Sequence, residues 1–202
     1  MNAYRTLVAP ILAASVLAAV TVGASFAEPE LYDPDDIVPD TPYHVRGWLE
    51  HGRFLPSDML FDMKLDSGAL NTSMDAEIRA YYGPDGEAIT EDQAEALIES
   101  GNGVPVVEFV VENEEERRVR ARRDVVRFAT IKGKLDYSIR RPVVEMAFCI
   151  AGVYVDGQVN LSDRGQFNYP VLIGRNMLKS ANILIDSRES YTYKSHCTPP
   201  ES

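Results

Sequence analysis

From Tyr43 onward the chain runs in short stretches where apolar and polar residues alternate, the period of two that a half-buried strand requires. Residues 59–65 show it most clearly: Phe61, Met63 and Leu65 fall on one side, Leu60, Asp62 and Lys64 on the other. Residues 45–50 read as a preceding strand, with Leu55-Pro56-Ser57-Asp58 as the turn between them. Residues 104–111 form an apolar strand and 112–116 a charged turn. Residues 118–122 alternate strictly, so Arg118, Arg120 and Arg122 share one face. A strand at 125–131 leads to a hairpin tip at Lys132-Gly133-Lys134. Residues 141–154 and 155–161 make a further pair broken at Ala151-Gly152, and short strands at 182–185 and 191–193 close the chain.

Helical signals are few. Residues 75–82 suit one short helix with Asp75 as its N-cap, broken by Gly83-Pro84-Asp85-Gly86. Thr90 and Gln93 make a capping box, Ala94, Leu97 and Ile98 give one apolar face, and Gly101 can end the helix. This helix reads as an insertion between strands. A second short one, of the Arg-Asn-Met-Leu type, is expected after Gly174. Many short strands, frequent turns and few helices predict an all-β sandwich or barrel.

Residues 1–27 stand outside this pattern. Arg5 and the amino terminus precede an uncharged apolar run, and Ser25-Phe26-Ala27 puts small residues at the −3 and −1 positions of a cleavage site. That is the layout of a secretory signal peptide and predicts a periplasmic or secreted protein. An uncleaved membrane anchor is the alternative, which Pro10 and the many alanines disfavour. Residues 28–42 are an acidic, Pro-rich linker, 43–197 the folded domain and 198–202 a tail. The two cysteines, Cys149 and Cys197, are an even count in an exported chain and predict one disulfide; a buried free Cys149 and a loose tail cysteine are the alternative.

Charge changes the picture in two ways. A formal net charge of −11 over 202 residues argues against nucleic acid as a partner. Between Arg117 and Arg141, however, arginines and lysines far outnumber acids. Arginines on one strand face could take the carboxylates of an acidic peptide by paired hydrogen bonds. The competing expectation is that Glu112 and Glu114-Glu115-Glu116 neutralise them.

The candidate chemistry lies where the 59–65 strand runs out, at Asp66-Ser67-Gly68. Ser67 can hydrogen-bond locally, and Gly68 lets another backbone or a substrate approach the carboxylate. Alone, the tripeptide is equally what a surface turn contains. A second motif follows about a hundred residues later, in Tyr169-Pro170-Val171-Leu172-Ile173-Gly174-Arg175-Asn176-Met177-Leu178. In a compact barrel Leu172-Ile173-Gly174 packs beneath such a turn, because the glycine lets the strands approach; alone, it is an interior strand ending in a tight turn.

Together the two motifs resemble those of the retropepsin-like aspartic proteases. Residues 65–76 are similar to the Ile-Asp-Thr-Gly-Ala stretch and its continuation in a bacterial and archaeal branch often labelled ATP-dependent zinc protease. Leu161-Ser162-Asp163-Arg164, the Tyr169–Arg175 stretch and Ile185-Asp186 follow in the same order. Ser67 stands where threonine is commoner, Asp75 replaces a histidine, and residues 83–103 form a longer insertion. The resemblance implies a small closed β-barrel with one or two short helices. It also implies peptide-bond hydrolysis with Asp66 as the catalytic acid, supported by Ser67, Gly68, Leu172, Ile173 and Gly174, with Arg175 beside the turn as a further candidate for substrate contact. Such chemistry needs two carboxylates. Asp186-Ser187 lacks the glycine and reads as a strand-end turn, so the second carboxylate is expected from a homodimer, with the 132–134 tip as flap. A non-catalytic peptide-binding barrel is the alternative. Neither zinc nor ATP follows from the residues: His44, His51 and His196 are scattered, and no phosphate-cradling glycine loop is present, so no cofactor is expected.

Overall fold

A computed structural model describes residues 42–55, 57–132 and 138–197. The expected signal peptide, the linker up to Thr41, the Gly133-Lys134 tip and the tail at 198–202 lie outside the described residues. Among the described residues there are eleven strands and two short helices.

The first strand, β1 (His44–Leu55), is long enough to serve three neighbours. It pairs antiparallel with β2 (Met59–Leu65) from Leu49 to Phe54. Its last residues, Gly52–Leu55, pair with β8 (Ser138–Ile150), and its first ones run parallel to β11 (Ile183–Ser190). The order β1-β2-β10-β3-β9-β8 and back to β1 closes a six-stranded barrel, with β3 at Thr72–Asp75, β9 at Val153–Ser162 and β10 at Val171–Ile173. Closure removes the sheet edge, and each strand turns its apolar side inward. In β2 every second residue from Met59 to Leu65 is buried, as its alternation predicts. Phe54, Phe61, Met63, Met74, Phe148, Leu161 and Ile173 fill the interior.

From β8 the sheet continues outward through β7 (Arg118–Lys132), β6 (Val106–Glu112), β4 (Glu77–Tyr82) and β5 (Ala88–Ile89). The expected helix at 75–82 is instead the last residue of β3 and all of β4. Its sequence alternates as well as it spirals, and seven residues of β6 offer it a ladder from Glu77 to Tyr82. Asp75 does not cap a helix; its carboxylate accepts the Arg164 amide at 2.6 Å. The capping-box helix forms as expected as α1 (Glu91–Ser100), with Gly101 in the left-handed region at its end. The strands expected at 118–122 and 125–131 are one strand, β7, whose register slips between Val125 and Arg127. The β8–β9 break falls at Ala151 and Gly152, with φ of 45° and 83°, the positive values a two-residue hairpin turn requires. The close of the chain also differs: β11 runs without a break to Ser190, so Asp186-Ser187 is mid-strand, and residues 191–193 form no strand.

Two features tie the C-terminal segment to the barrel. Cys149 and Cys197 are joined by a disulfide with their Cα atoms 5.8 Å apart. Glu50, fully buried on β1, accepts the Gly47 amide at 2.7 Å and both the amide and hydroxyl of Thr192. A buried carboxylate is tolerated there because several donors converge on it. Among the described residues no helix is long and apolar enough to cross a membrane.

Candidate active site

The Asp66 turn is built from three strands. β2 delivers Asp66 and β3 leaves the turn, and β10 lies between them, parallel to β2 (Ile173 beside Leu65) and antiparallel to β3 (Leu172 beside Ser73). The Asp66 amide donates to the Ile173 carbonyl at 2.9 Å. Gly174 follows, and a Cβ there would lie 2.5 Å from the Asn71 carbonyl carbon, so only glycine fits against that backbone. Its amide donates to the Thr72 hydroxyl at 3.0 Å. The short helix α2 (Arg175–Ser180) then begins directly against the turn. The Arg175 and Asn176 amides donate to the carbonyls of Ala69 and Leu70. The Asn176 side-chain oxygen accepts from both the amide and the hydroxyl of Thr72 at 2.9 Å, and its NH₂ donates to the Gln158 carbonyl. The two motifs, far apart in sequence, form one hydrogen-bonded unit.

The carboxylate itself is set by few partners. Oδ1 accepts a hydrogen bond from the Gly68 amide at 2.9 Å, and Oδ2 accepts one from the Lys64 ammonium at 3.1 Å. The side chain keeps 24% of its exposure. Removal from water pushes its pKa up, but the Lys64 ammonium and the Gly68 and Ala69 amides outweigh this, and the net shift is downward. Lys64 reaches Asp66 because residues two apart share a strand face. That pairing was readable in the alternation of 59–65, though Lys64 carries no motif.

The arginines proposed from sequence for substrate contact have other partners. Arg118 pairs with Glu77 and Glu112, while Arg120 and Arg122 converge on the buried Glu108, at 3.6 and 2.7 Å. Arg122 also stacks on Tyr82. The neutralising acids are thus mostly on β4 and β6 rather than in the 114–116 turn. Arg175 donates to the Ser67 carbonyl at 3.0 Å, bracing the turn. Beside Ser67 lies an apolar groove of about 540 Å³ lined by Leu70, Leu178, Ile183, Leu184 and Ile185. Leu70 is 63% exposed there. Of the three histidines, His51 pairs with Asp62 and stacks on Tyr191. Among the described residues no three His, Cys, Asp or Glu side chains gather as metal ligands would.

A closed six-stranded barrel, carrying an Asp-Ser-Gly turn clamped by Leu-Ile-Gly-Arg, defines the fold as retropepsin-like. Residues 98–196 match the family model described as RimB-like, retropepsin-like aspartic endopeptidase RimB, which shows the likeness that the paired motifs imply. The match holds Leu161–Arg164 and Leu172–Arg175, and it begins downstream of Asp66. Among solved structures, Lpg0085 of Legionella pneumophila subsp. pneumophila str. Philadelphia 1, a protein of unknown function (DUF785), shares the fold. Its TM-score is 0.55 at 22% identity, covering 76% of this chain and 100% of that one. No curated protein matches the chain.

Proposed function

We propose that the protein is an exported aspartic endopeptidase whose active site forms between two copies of the chain, each contributing Asp66. The observation that carries this reading is the Asp66 turn: a carboxylate at a strand end, locked by Gly174 and Asn176, with no cation engaging both its oxygens. Two carboxylates brought about 3 Å apart cannot both ionise; they share one proton and titrate as a pair. The ionised member draws a proton from water as the water oxygen attacks the scissile carbonyl, and the protonated member gives its proton to the carbonyl oxygen; the resulting diol then collapses to the carboxylic acid, its C–N bond breaking as the nitrogen takes the proton drawn from water and a hydroxyl of the diol returns its proton to the pair. The apolar groove beside Ser67 supports a second copy as the source of the second carboxylate. It exposes Leu70 and Leu184 next to the turn, where a two-fold contact would bring both turns together. The apolar run before Ala27 supports export.

The test is hydrolysis of a peptide library by the mature protein and by Asp66→Asn, from acidic to neutral pH. Turnover by the wild type alone is expected. Equal turnover by both removes Asp66 from the mechanism, and peptide binding without turnover by either leaves the protein a binding barrel. N-terminal sequencing of the protein recovered from the periplasm is expected to begin at Glu28.

A further inference from the structure

Among the described residues β11 is an outermost strand of the sheet, with β1 as its neighbour. Its first residues, Ile183, Leu184 and Ile185, form a wall of the apolar groove beside Ser67. At its other end the pairing with β1 slips between Gly47 and Leu49 and finishes with Leu49 opposite Ser190. Tyr191 then turns the chain with a φ of 53°, and residues 191–197 lie against β1 without forming helix or strand.

This strap is anchored by polar and aromatic contacts. The Tyr191 amide donates to the Leu49 carbonyl at 2.8 Å, and its hydroxyl donates to Asp62 at 3.0 Å. Thr192 donates to the buried Glu50 carboxylate through both its amide and its hydroxyl. The Arg46 guanidinium lies over the Tyr193 ring, and Arg53 donates to the Ser195 carbonyl at 2.9 Å. Of residues 191–197 only Ser195 is buried, so no apolar side chain holds the strap down. Fixing such a segment costs conformational entropy, and polar contacts at the surface offset little of it because water competes for them. The Cys149–Cys197 bond changes that balance: it spans 48 residues and ties the strap to a buried position on β8.

Glu50 couples the strap to the barrel. Without Thr192 its carboxylate keeps the Gly47 amide alone. A buried charge so poorly matched is costly, and opening β1 to water around Gly47 and Glu50 relieves it. These residues also hold the end of β11, where Gly47 faces Asp186 and Leu49 faces Ser190. On its other side Leu49 pairs with Lys64, whose ammonium holds Asp66.

We propose that residues 191–197 are a disulfide-locked strap that makes assembly of the Asp66 site conditional on oxidising surroundings. A dithiol reductant gives two electrons and two protons to the protein sulfurs; the Cys149–Cys197 bond breaks to two thiols, and the dithiol closes to its own disulfide. The strap then leaves, β11 frays from β1, and the groove loses the wall that a second copy would meet. A chain exported as proposed is competent once oxidised and idle before that. This inference rests on the proposed reading for the role of the groove; release of the strap does not need turnover.

The test compares the mature protein as oxidised with the same protein after dithiothreitol, each checked for thiol content. Amide exchange over residues 183–193 is expected to quicken about tenfold or more on reduction, while β8 and β9 stay protected. Self-association in sedimentation is expected to weaken about tenfold and to return on reoxidation. Cys197→Ser is expected to match the reduced wild type and to ignore dithiothreitol. Exchange or self-association that is unchanged by reduction would overturn the inference. So would loss of protection in β8 and β9 together with the strap, or a dithiothreitol response that survives in Cys197→Ser. Turnover that persists in full after reduction would also overturn it while leaving the peptidase reading intact. Redox-controlled self-association with no turnover in either state would do the reverse.

Discussion

Asp66-Ser67 and Asp186-Ser187 are the same dipeptide in two settings, one just past a strand end and one inside a strand, each with a cation close by. Asp186 sits within β11, and Arg188 takes both its oxygens through Nε and Nη2 while the Arg188 amide adds a third bond. Those bonds hold its pKa at about 2. Asp66 ends β2, and its two oxygens are divided between one amide and one lysine. Both carboxylates are shifted down, but Asp66 accepts two such bonds where Asp186 accepts three, and neither of its oxygens is held by an arginine fork. The neighbours, more than the acid, decide whether a carboxylate can become half of a site. A bidentate arginine closes it, whereas a glycine amide and a lysine hold it in place and leave it open.

The largest effect that would break this contrast is on turnover. Asp66→Asn is expected to lower peptide hydrolysis by at least about a hundredfold, while Asp186→Asn leaves it within about twofold; comparable losses from both would show that the two settings are not functionally distinct. Next come the supports of the turn. Gly174→Ala forces a methyl against the Asn71 backbone and is expected to cost roughly 1–3 kcal/mol in urea unfolding. Asn176→Ala removes both bonds to Thr72 and is expected to cost about 2 kcal/mol. No comparable bracing surrounds Asp186, so Ser187→Ala is expected to change stability by less than about 0.5 kcal/mol.

Smaller effects concern protons. The folded pKa of Asp66 lies below its ordinary 3.8, so its ionised form adds stability above that value, and the gain is lost as pH falls through the lowered folded value. Lys64→Met is expected to raise the Asp66 pKa and to move the pH–activity profile toward higher pH. A profile that stays fixed would detach Lys64 from the site. The smallest change is expected from Arg188→Ala, which should raise the Asp186 pKa in an NMR titration and leave turnover alone.

Much of this arrangement was legible in the chain. The period-two pattern of β2, the Thr90–Gln93 capping box and the Ala151-Gly152 break are local signals, and each produced the element it predicts. The pairing of Asp66-Ser67-Gly68 with Leu172-Ile173-Gly174 was legible through the joint resemblance of the two motifs to the retropepsin-like proteases, and Gly174 is where the backbones meet. What was not legible depended on partners distant in sequence. Residues 77–82 became a strand because β6 lies alongside, and Arg118, Arg120 and Arg122 were matched by Glu77, Glu108 and Glu112 on neighbouring strands.

The central claim is that Asp66 is half of a site completed by a second copy of the chain. It is tested most directly by mixing wild-type protein with increasing Asp66→Asn protein, after exchange of subunits, and measuring turnover per wild-type chain. A shared site predicts that an equal mixture retains about half the activity per wild-type chain, since mixed dimers hold a single carboxylate. Activity per wild-type chain that stays constant at every ratio would contradict it.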